Sequence, residues 1–261
     1  MRLSSLLRLV VLALGLLGGA AKAQTPAAPP SAALPPLGSF TTQQRQEIIA
    51  IIREALRTDA SLLRDAITAL QEEEERAKMG AARGMIGELA PALFRDPEDP
   101  VAGNPNGDVT IVEFFDVRCP YCRRMVPVVN ELIRRDPGVR VVFKDFPILG
   151  PASTLGARAL LAAHRQGGYM RMYMALMTGG PSIDEASLRA AASRAGLDAE
   201  RLMREMAAPE IVGRINANLA LGRRLDLQGT PAYVVGDQVL PGAVDLPTLT
   251  AAVAAARRKP Q

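Results

Sequence analysis

The sequence predicts an α/β fold with a long helical insertion, preceded by a separate helical region. Three observations predict it. Apolar, β-prone runs at 109–116 and 139–146 flank an amphipathic helical stretch. Residues 151–222 read helical almost throughout, and two short strand signals and a last helix follow them. Ahead of all this, apolar residues between 48 and 70 recur at helical spacing. The order is therefore helices, then β, α, β, a helical insertion, β, β, α.

The first 23 residues read as a secretory leader. Arg2 and Arg8 form a basic start, 9–17 an apolar core, and Ala21-Lys22-Ala23 a small-x-small cleavage site. That core is shorter than the roughly 20 residues a spanning helix needs, and no later run is long and apolar enough, so a soluble exported product is expected. No cysteine follows the apolar core and no twin-arginine pair precedes it, which argues against a lipid-anchored or twin-arginine form. Removing the leader takes three basic residues and no acid from a chain of net charge +4, leaving 28 basic against 27 acidic residues. A near-neutral remainder gives no support for nucleic-acid binding.

Residues 24–39, with Pro26, Pro29, Pro30, Pro35 and Pro36, read as a stiff solvated tether. Thr41 with Gln44 fits a capping box, after which Ile48, Ile49, Ile52 and Leu56 share one helix face. A second helix follows Asp59, with Leu62, Leu63, Ile67 and Leu70 on one side. Both helices have an apolar stripe to bury, and region 40–94 is expected to bury it by self-association. The other reading is that it packs back on the rest of the chain. Glu72 to Lys78 is a solvated helix face, and Gly80, Gly84 and Gly87, each about 1 kcal/mol worse than Ala in a helix, are expected to bend or hinge it. Residues 95–108 are punctuated by Pro, Gly and Asn as a linker would be.

The second domain, 109–256, starts on a buried-strand pattern with one acid, Glu113, inside it. An amphipathic helix with Met125, Val128, Val129, Leu132 and Ile133 follows, then the strand 139–146. The insertion 151–222 is broken at Gly167-Gly168, at Gly179-Gly180-Pro181 and around Gly196. Gly236-Asp237 marks a two-residue hairpin turn between strands at 232–235 and 238–240, and a helix over 246–256 closes the chain.

The chemistry is concentrated in Cys119-Pro120-Tyr121-Cys122, the only two cysteines of the chain. An exported protein stabilised by disulfides scatters cysteines along its length, and this one does not. Cys119 follows a strand and a two-residue link, at the mouth of a helix, where open backbone N–H groups and the positive end of the macrodipole favour the thiolate. Pro120 suits the first turn, and with Tyr121 it tunes how strongly the helix end holds the anion. Cys122, one turn on, resolves the mixed disulfide that Cys119 forms.

The segment 114–122, the Gly229-Thr230-Pro231 turn and the long helical insertion resemble the DsbA-like branch of the thioredoxin superfamily. Closer still are the periplasmic suppressor-of-copper-sensitivity C (ScsC) and Com1-like proteins, with a helical region ahead of the catalytic domain and a segment similar to residues 144–150. The resemblance implies a thioredoxin fold, with Pro231 a cis-proline beside the cysteines and Thr230 the residue before it, facing an extended substrate strand. It also implies that Glu113, paired with Lys144, moves protons to and from Cys122. The plainer reading of Glu113 is a carboxylate pointing out at a strand end.

Other chemistries fit less well. Zinc needs four ligands as a rule, and the chain offers two cysteines and His164. His164 sits in a helical stretch without a protease signature. Met170, Met174 and Met177 lie at i, i+4 and i+7, a core stripe, although thioethers also suit Cu(I). The expectation is a periplasmic thiol–disulfide oxidoreductase without cofactor or metal, isomerising disulfides of cysteine-containing exported proteins. It is expected to work as a dimer or trimer and to be reset by a membrane redox partner. A dithiol oxidase is the near alternative, and a copper-binding or holdase module the distant one.

Overall fold

The computed structural model describes residues 40–180 and 182–258; the expected leader, the 24–39 tether and Pro181 lie outside the described residues. The chain divides into two units between Leu63 and Arg64.

In the first unit, α1 (Thr42–Thr58) opens on the capping box, Thr41 Oγ1 accepting from the Gln44 N–H at 3.2 Å and Gln44 Oε1 from the Thr41 N–H at 2.8 Å. The reciprocal bonds satisfy two donors that a helix start leaves open. No residue of α1 is buried. Asp59 ends it and, through the Ser61 N–H at 2.9 Å, starts the next helix, α2 (Ser61–Phe94).

Within the second unit α2 runs on unbroken through Gly80, Gly84 and Gly87. The helix is not interrupted at these glycines, and Ile86, Leu89 and Leu93 on it are buried, which offsets the glycines' cost and fastens this half to the sheet. The segment 95–108, expected as a linker, carries a strand, β1 (Val101–Gly103), so the folded body begins well before residue 109. Its turn residues marked a change of direction rather than a boundary.

The sheet continues with β2 (Val109–Phe115), β3 (Val139–Asp145), β4 (Ala232–Val235) and β5 (Gln238–Pro241), in the order β1-β3-β2-β4-β5. Only β2 and β3 are parallel; the remaining pairs are antiparallel. Between β2 and β3 lies α3 (Pro120–Arg135), and the insertion between β3 and β4 holds α4 (Pro151–Arg165), α5 (Tyr169–Met177), α6 (Glu185–Arg194), α7 (Ala199–Glu205) and α8 (Pro209–Arg224). The breaks at 167–168, around 179 and at 196 occur as expected. Another, before Pro209, went unforeseen, although proline at the first turn of a helix is a start signal. α9 (Leu246–Arg257) ends the chain.

Strand alternation divides the core. Ile111, Phe115, Val141, Phe143, Tyr233 and Val235 pack with buried residues of α3, α4, α5 and α9, whereas Val112, Phe114, Val142 and Val234 lie under α2 and α8. Both faces of β2 are therefore covered, and all seven of its residues are buried.

Candidate active site

β2 delivers the chain through Asp116-Val117-Arg118 to Cys119, which is the N-cap of α3, with Pro120 at the first turn. No side chain caps this helix, so its first N–H groups face the sulfur. Cys119 Sγ also lies 3.2 Å from the carbonyl oxygen of Thr230, to which its thiol donates. The Thr230-Pro231 bond is cis. Both cysteines are buried and reduced, Cys119 at 4% exposure and Cys122 at 0%, so attack needs a substrate sulfur brought down to Cys119.

The two thiols are driven apart in acidity. A hydrogen bond from Cys122, then one from the Thr230 side chain and those from the backbone N–H groups of Cys122 and Tyr121, pull Cys119 down to about 5 against the opposing effect of burial. Burial first, and the bond to Cys119 second, push Cys122 far above its ordinary range. Near neutral pH the pair is one thiolate and one thiol. Tyr121 is 52% exposed beside them, under the Arg124 guanidinium at 4.5 Å from its ring centroid.

Glu113 is fully buried on the face of the sheet that carries α3, not turned out at a strand end. Tyr233 Oη donates to its Oε1 at 3.2 Å, and its Oε2 has no partner among the described residues. Burial pushes its carboxyl up to about 8, and its charge acts on Cys122. It is a protonatable group whose charge reaches the resolving thiol.

Lys144 does not pair with Glu113. In the β2–β3 register Glu113 stands opposite Phe143 and Lys144 opposite Phe114, so the two side chains leave the sheet on opposite faces. Lys144 Nζ donates instead to the Ala92 carbonyl at 2.8 Å and to the Asp99 carboxylate, both in the region after Arg64. Arg214 joins the cluster, bonded to Asp96 and 3.5 Å from Asp99. The role expected of Lys144 in proton transfer is withdrawn; it is a buried clamp that ties the end of α2 to β3.

Two groups escaped sequence reasoning. Asp116 uses both oxygens, accepting from the N–H groups of Arg118 at 2.8 Å, Ile148 at 2.9 Å and Leu149 at 3.0 Å, and so fixes the 147–150 loop beside the motif. Asp145 is buried with Tyr169 Oη donating to it at 3.0 Å, and burial raises it to about 8. An acid three residues before a motif cysteine was a visible signal for Asp116; nothing marked Asp145 as inward-facing. His164 meets Tyr169 edge-on at 5.8 Å between ring centroids, away from any ligand cluster. Among the described residues no three His, Cys, Asp or Glu side chains gather as a metal site. Met172 and Met177 are core, with Met170 and Met174 packed against it.

Residues 110–254 match the DSBA-like thioredoxin domain. A thioredoxin-like oxidoreductase from Silicibacter pomeroyi superposes with a TM-score of 0.63 at 46% identity, over 65% of this chain and 98% of that one. The catalytic domain of Proteus mirabilis ScsC does so with a TM-score of 0.62 at 29% identity, over 68% of this chain and 99% of that one. The Na(+)/H(+) antiporter NhaA 3 of Salinispora tropica is 32% identical over 193 residues, 71% of this chain and 29% of that protein. The chain spans about three-tenths of the length of the curated relatives it matches. No helix among the described residues is long and apolar enough to cross a membrane.

Proposed function

The chain belongs to the DSBA-like thioredoxin domain family, and on that premise we propose that it is a thiol–disulfide oxidoreductase that isomerises disulfides of exported proteins in the periplasm, as an oligomer. The observation that carries the chemistry is Cys119 Sγ at the open N-terminus of α3, with the Cys122 thiol bonded to it and the Thr230 carbonyl at 3.2 Å.

The cycle follows from these atoms. The Cys119 thiolate attacks one sulfur of a substrate disulfide; an S–S bond forms to Cys119 as the substrate S–S bond breaks, and the second substrate sulfur leaves as thiolate. In isomerisation that thiolate attacks another substrate disulfide, and a final substrate thiolate displaces Cys119, so no net electrons are exchanged. The escape is attack by Cys122 on Cys119, which yields the Cys119–Cys122 disulfide and a reduced substrate. It requires Cys122 to lose a proton, and Glu113, whose charge bears on Cys122, is the acceptor assigned to it in this reading. With its carboxyl near 8, Glu113 holds a proton most of the time at neutral pH and restrains the escape. That lengthens the life of the mixed disulfide, which favours shuffling. A membrane redox partner resets the pair after an escape. The low position of Cys119 also supports the dithiol-oxidase reading, because a stabilised thiolate makes the disulfide form more oxidising.

The helices before residue 70 support the oligomer. Ile48, Ile49, Ile52 and Leu56 on α1, and Leu62, Leu63, Ile67 and Leu70 on α2, are each at least 39% exposed. Apolar stripes of that extent mark interaction sites. Several catalytic domains around one substrate favour rearrangement of wrong pairs over single-step oxidation.

The test is rescue of a scrambled, wrongly paired ribonuclease by the full chain, by Cys119→Ser and by an Ile49→Glu/Ile52→Glu/Leu56→Glu variant. Loss of rescue in the triple variant, with reduction of a small disulfide retained, is the expected result. Unchanged rescue contradicts the role of the N-terminal helices, and rescue by Cys119→Ser would make the chain a holdase.

A further inference from the structure

The loop after β3 and the first turns of α4 line a cavity of about 570 Å³ that the cycle above does not use. Its walls include Pro147 and Ile148 of the loop and Pro151, Thr154, Leu155 and Arg158 of α4. The four helix residues stand at i, i+3, i+4 and i+7, so one face of α4 meets the loop. Arg158 brings the charge. Its Nε is buried without a hydrogen-bond partner among the described residues, and α4 carries no acid to pair with it. Asp116, the acid that holds the loop, spends both oxygens on the N–H groups of Arg118, Ile148 and Leu149. A buried donor left without an acceptor is costly, and a bound carboxylate removes that cost. We propose that this cavity is an anion subsite, in which Arg158 takes the carboxylate of an acidic residue on the protein segment whose cysteine is joined to Cys119. The inference rests on the reading of Cys119 as the nucleophile.

Position ties the cavity to the thiols from two directions. α4 sits on the link into the motif: a Cβ on Gly156 would meet Val117 Cγ2 at 2.5 Å, so glycine lets the helix approach two residues before Cys119. On the loop side, Asp116 accepts the Ile148 N–H with its side chain at 2.9 Å and the Cys119 N–H with its carbonyl at 3.0 Å. One residue therefore fixes both a cavity wall and the nucleophile. An extended segment advances about 3.3 Å per residue, so an acid a few residues from the bonded cysteine is the one that enters. The chemistry selects a carboxylate. A guanidinium's planar fork matches its two oxygens with parallel N–H···O bonds, and the apolar walls Pro147, Ile148, Pro151 and Leu155 strengthen those bonds by displacing water. Thr154, one turn before Arg158, offers a hydroxyl to the same group. Ile148 and Leu149, 40% and 44% exposed on the loop, favour an acid carried on a protein over a free anion, because they give its flanking chain an apolar surface to lie on.

The experiment uses the full reduced chain and cysteine peptides activated as neutral 2-pyridyl disulfides. The Cys119 thiolate attacks the peptide sulfur, the peptide–Cys119 disulfide forms as the pyridyl S–S bond breaks, and the leaving thiolate takes a proton from water to give 2-thiopyridone, whose absorbance reads the rate. One Asp is moved residue by residue across an alanine background on both sides of the cysteine, with Asn and Lys in its place for comparison. Bis(2-pyridyl) disulfide serves as the substrate with no side chain to place. One Asp register is expected to exceed its Asn counterpart by about tenfold. That preference is expected to disappear in Arg158→Gln and in Thr154→Glu, which supplies a carboxylate four residues ahead of Arg158 on the same face, and to pass to Lys in Arg158→Glu. An Asp advantage equal in every register reports a general positive field and overturns the subsite, as do Asp and Asn rates within about twofold throughout, or a preference kept in both Arg158→Gln and Thr154→Glu. Failure of the unmodified chain on bis(2-pyridyl) disulfide strikes the thiol reading instead. The cavity is then judged by NMR titration with an end-blocked Ala-Asp-Ala peptide. Amide shifts centred on residues 147–158 that vanish in Arg158→Gln support it; shifts that persist there, or none with the unmodified chain, overturn it.

Discussion

Burial outweighs hydrogen bonding at Glu113 and hydrogen bonding outweighs burial at Cys119, so the two groups shift in opposite directions and their pH dependence separates them. The Glu113 carboxyl is raised from 4.5 to about 8, so the folded state holds its proton more tightly; that stabilisation is complete below the unfolded value and is lost as the pH rises through about 8. Glu113→Gln cannot ionise. Its melting temperature relative to the unmodified protein is expected to rise steadily as the pH is taken upward through that window, and a constant difference contradicts a protonated buried carboxyl. Cys119, lowered from 9.0 to about 5, stabilises the reduced fold above the unfolded value and loses that effect as the pH falls through about 5, in both proteins alike. In single-turnover measurements Glu113→Gln is expected to slow closure of the Cys119–Cys122 disulfide by about a hundredfold, and to slow the first attack far less. At this scale the position of Cys119 and Cys122 at a strand-to-helix junction was legible from local signals, whereas the cis Thr230-Pro231 bond beside them was expected only from the family resemblance of the Gly-Thr-Pro turn. The partner of Glu113 was not legible. The period of two in a strand fixes which residues share a face, but the register between β2 and β3 decides that Lys144 meets Phe114, and sequence leaves that register open.

The elements most at odds with a sequence reading are α2 and β1, and one clamp explains both. Lys144 and Asp99 are each 1% exposed at the side chain, with Ala92 at the end of α2 as the third partner. Burial lowers Lys144 and raises Asp99 to about 6, with each partner's charge resisting the shift, so the pair holds by geometry and mutual attraction. Lys144→Met, which strands a buried carboxylate, is expected to cost about 3 to 5 kcal/mol in urea unfolding, whereas Lys144→Met with Asp99→Leu recovers most of it. Equal losses in the single and the double variant contradict the clamp. The 95–108 segment looked like a linker because Pro, Gly and Asn also build the turns around a short strand. The Asp116 clamp has its own test. Asp116→Ala removes the acceptor for the Ile148 and Leu149 amides, whose hydrogen exchange is expected to accelerate while that of β3 does not.

For the whole molecule, the first unit leaves its apolar stripe open while the second carries the chemistry. Stripe and capping box were plain in the sequence because they depend only on helical period and local bonds. The division near residue 63 was hidden, since α2 runs through it without a break. In sedimentation the chain is expected to run as a multimer, and Ile49→Glu/Ile52→Glu/Leu56→Glu as a monomer with its melting transition kept; a monomeric parent chain contradicts self-association. Every catalytic step, whichever direction electrons take, begins with an anion at one sulfur. The most direct measurement is the ultraviolet thiolate absorbance of the reduced protein across pH, with Cys119→Ser as the blank. A single inflection near 5 that disappears in Cys119→Ser is predicted; an inflection at the ordinary thiol value of about 8.5 contradicts it.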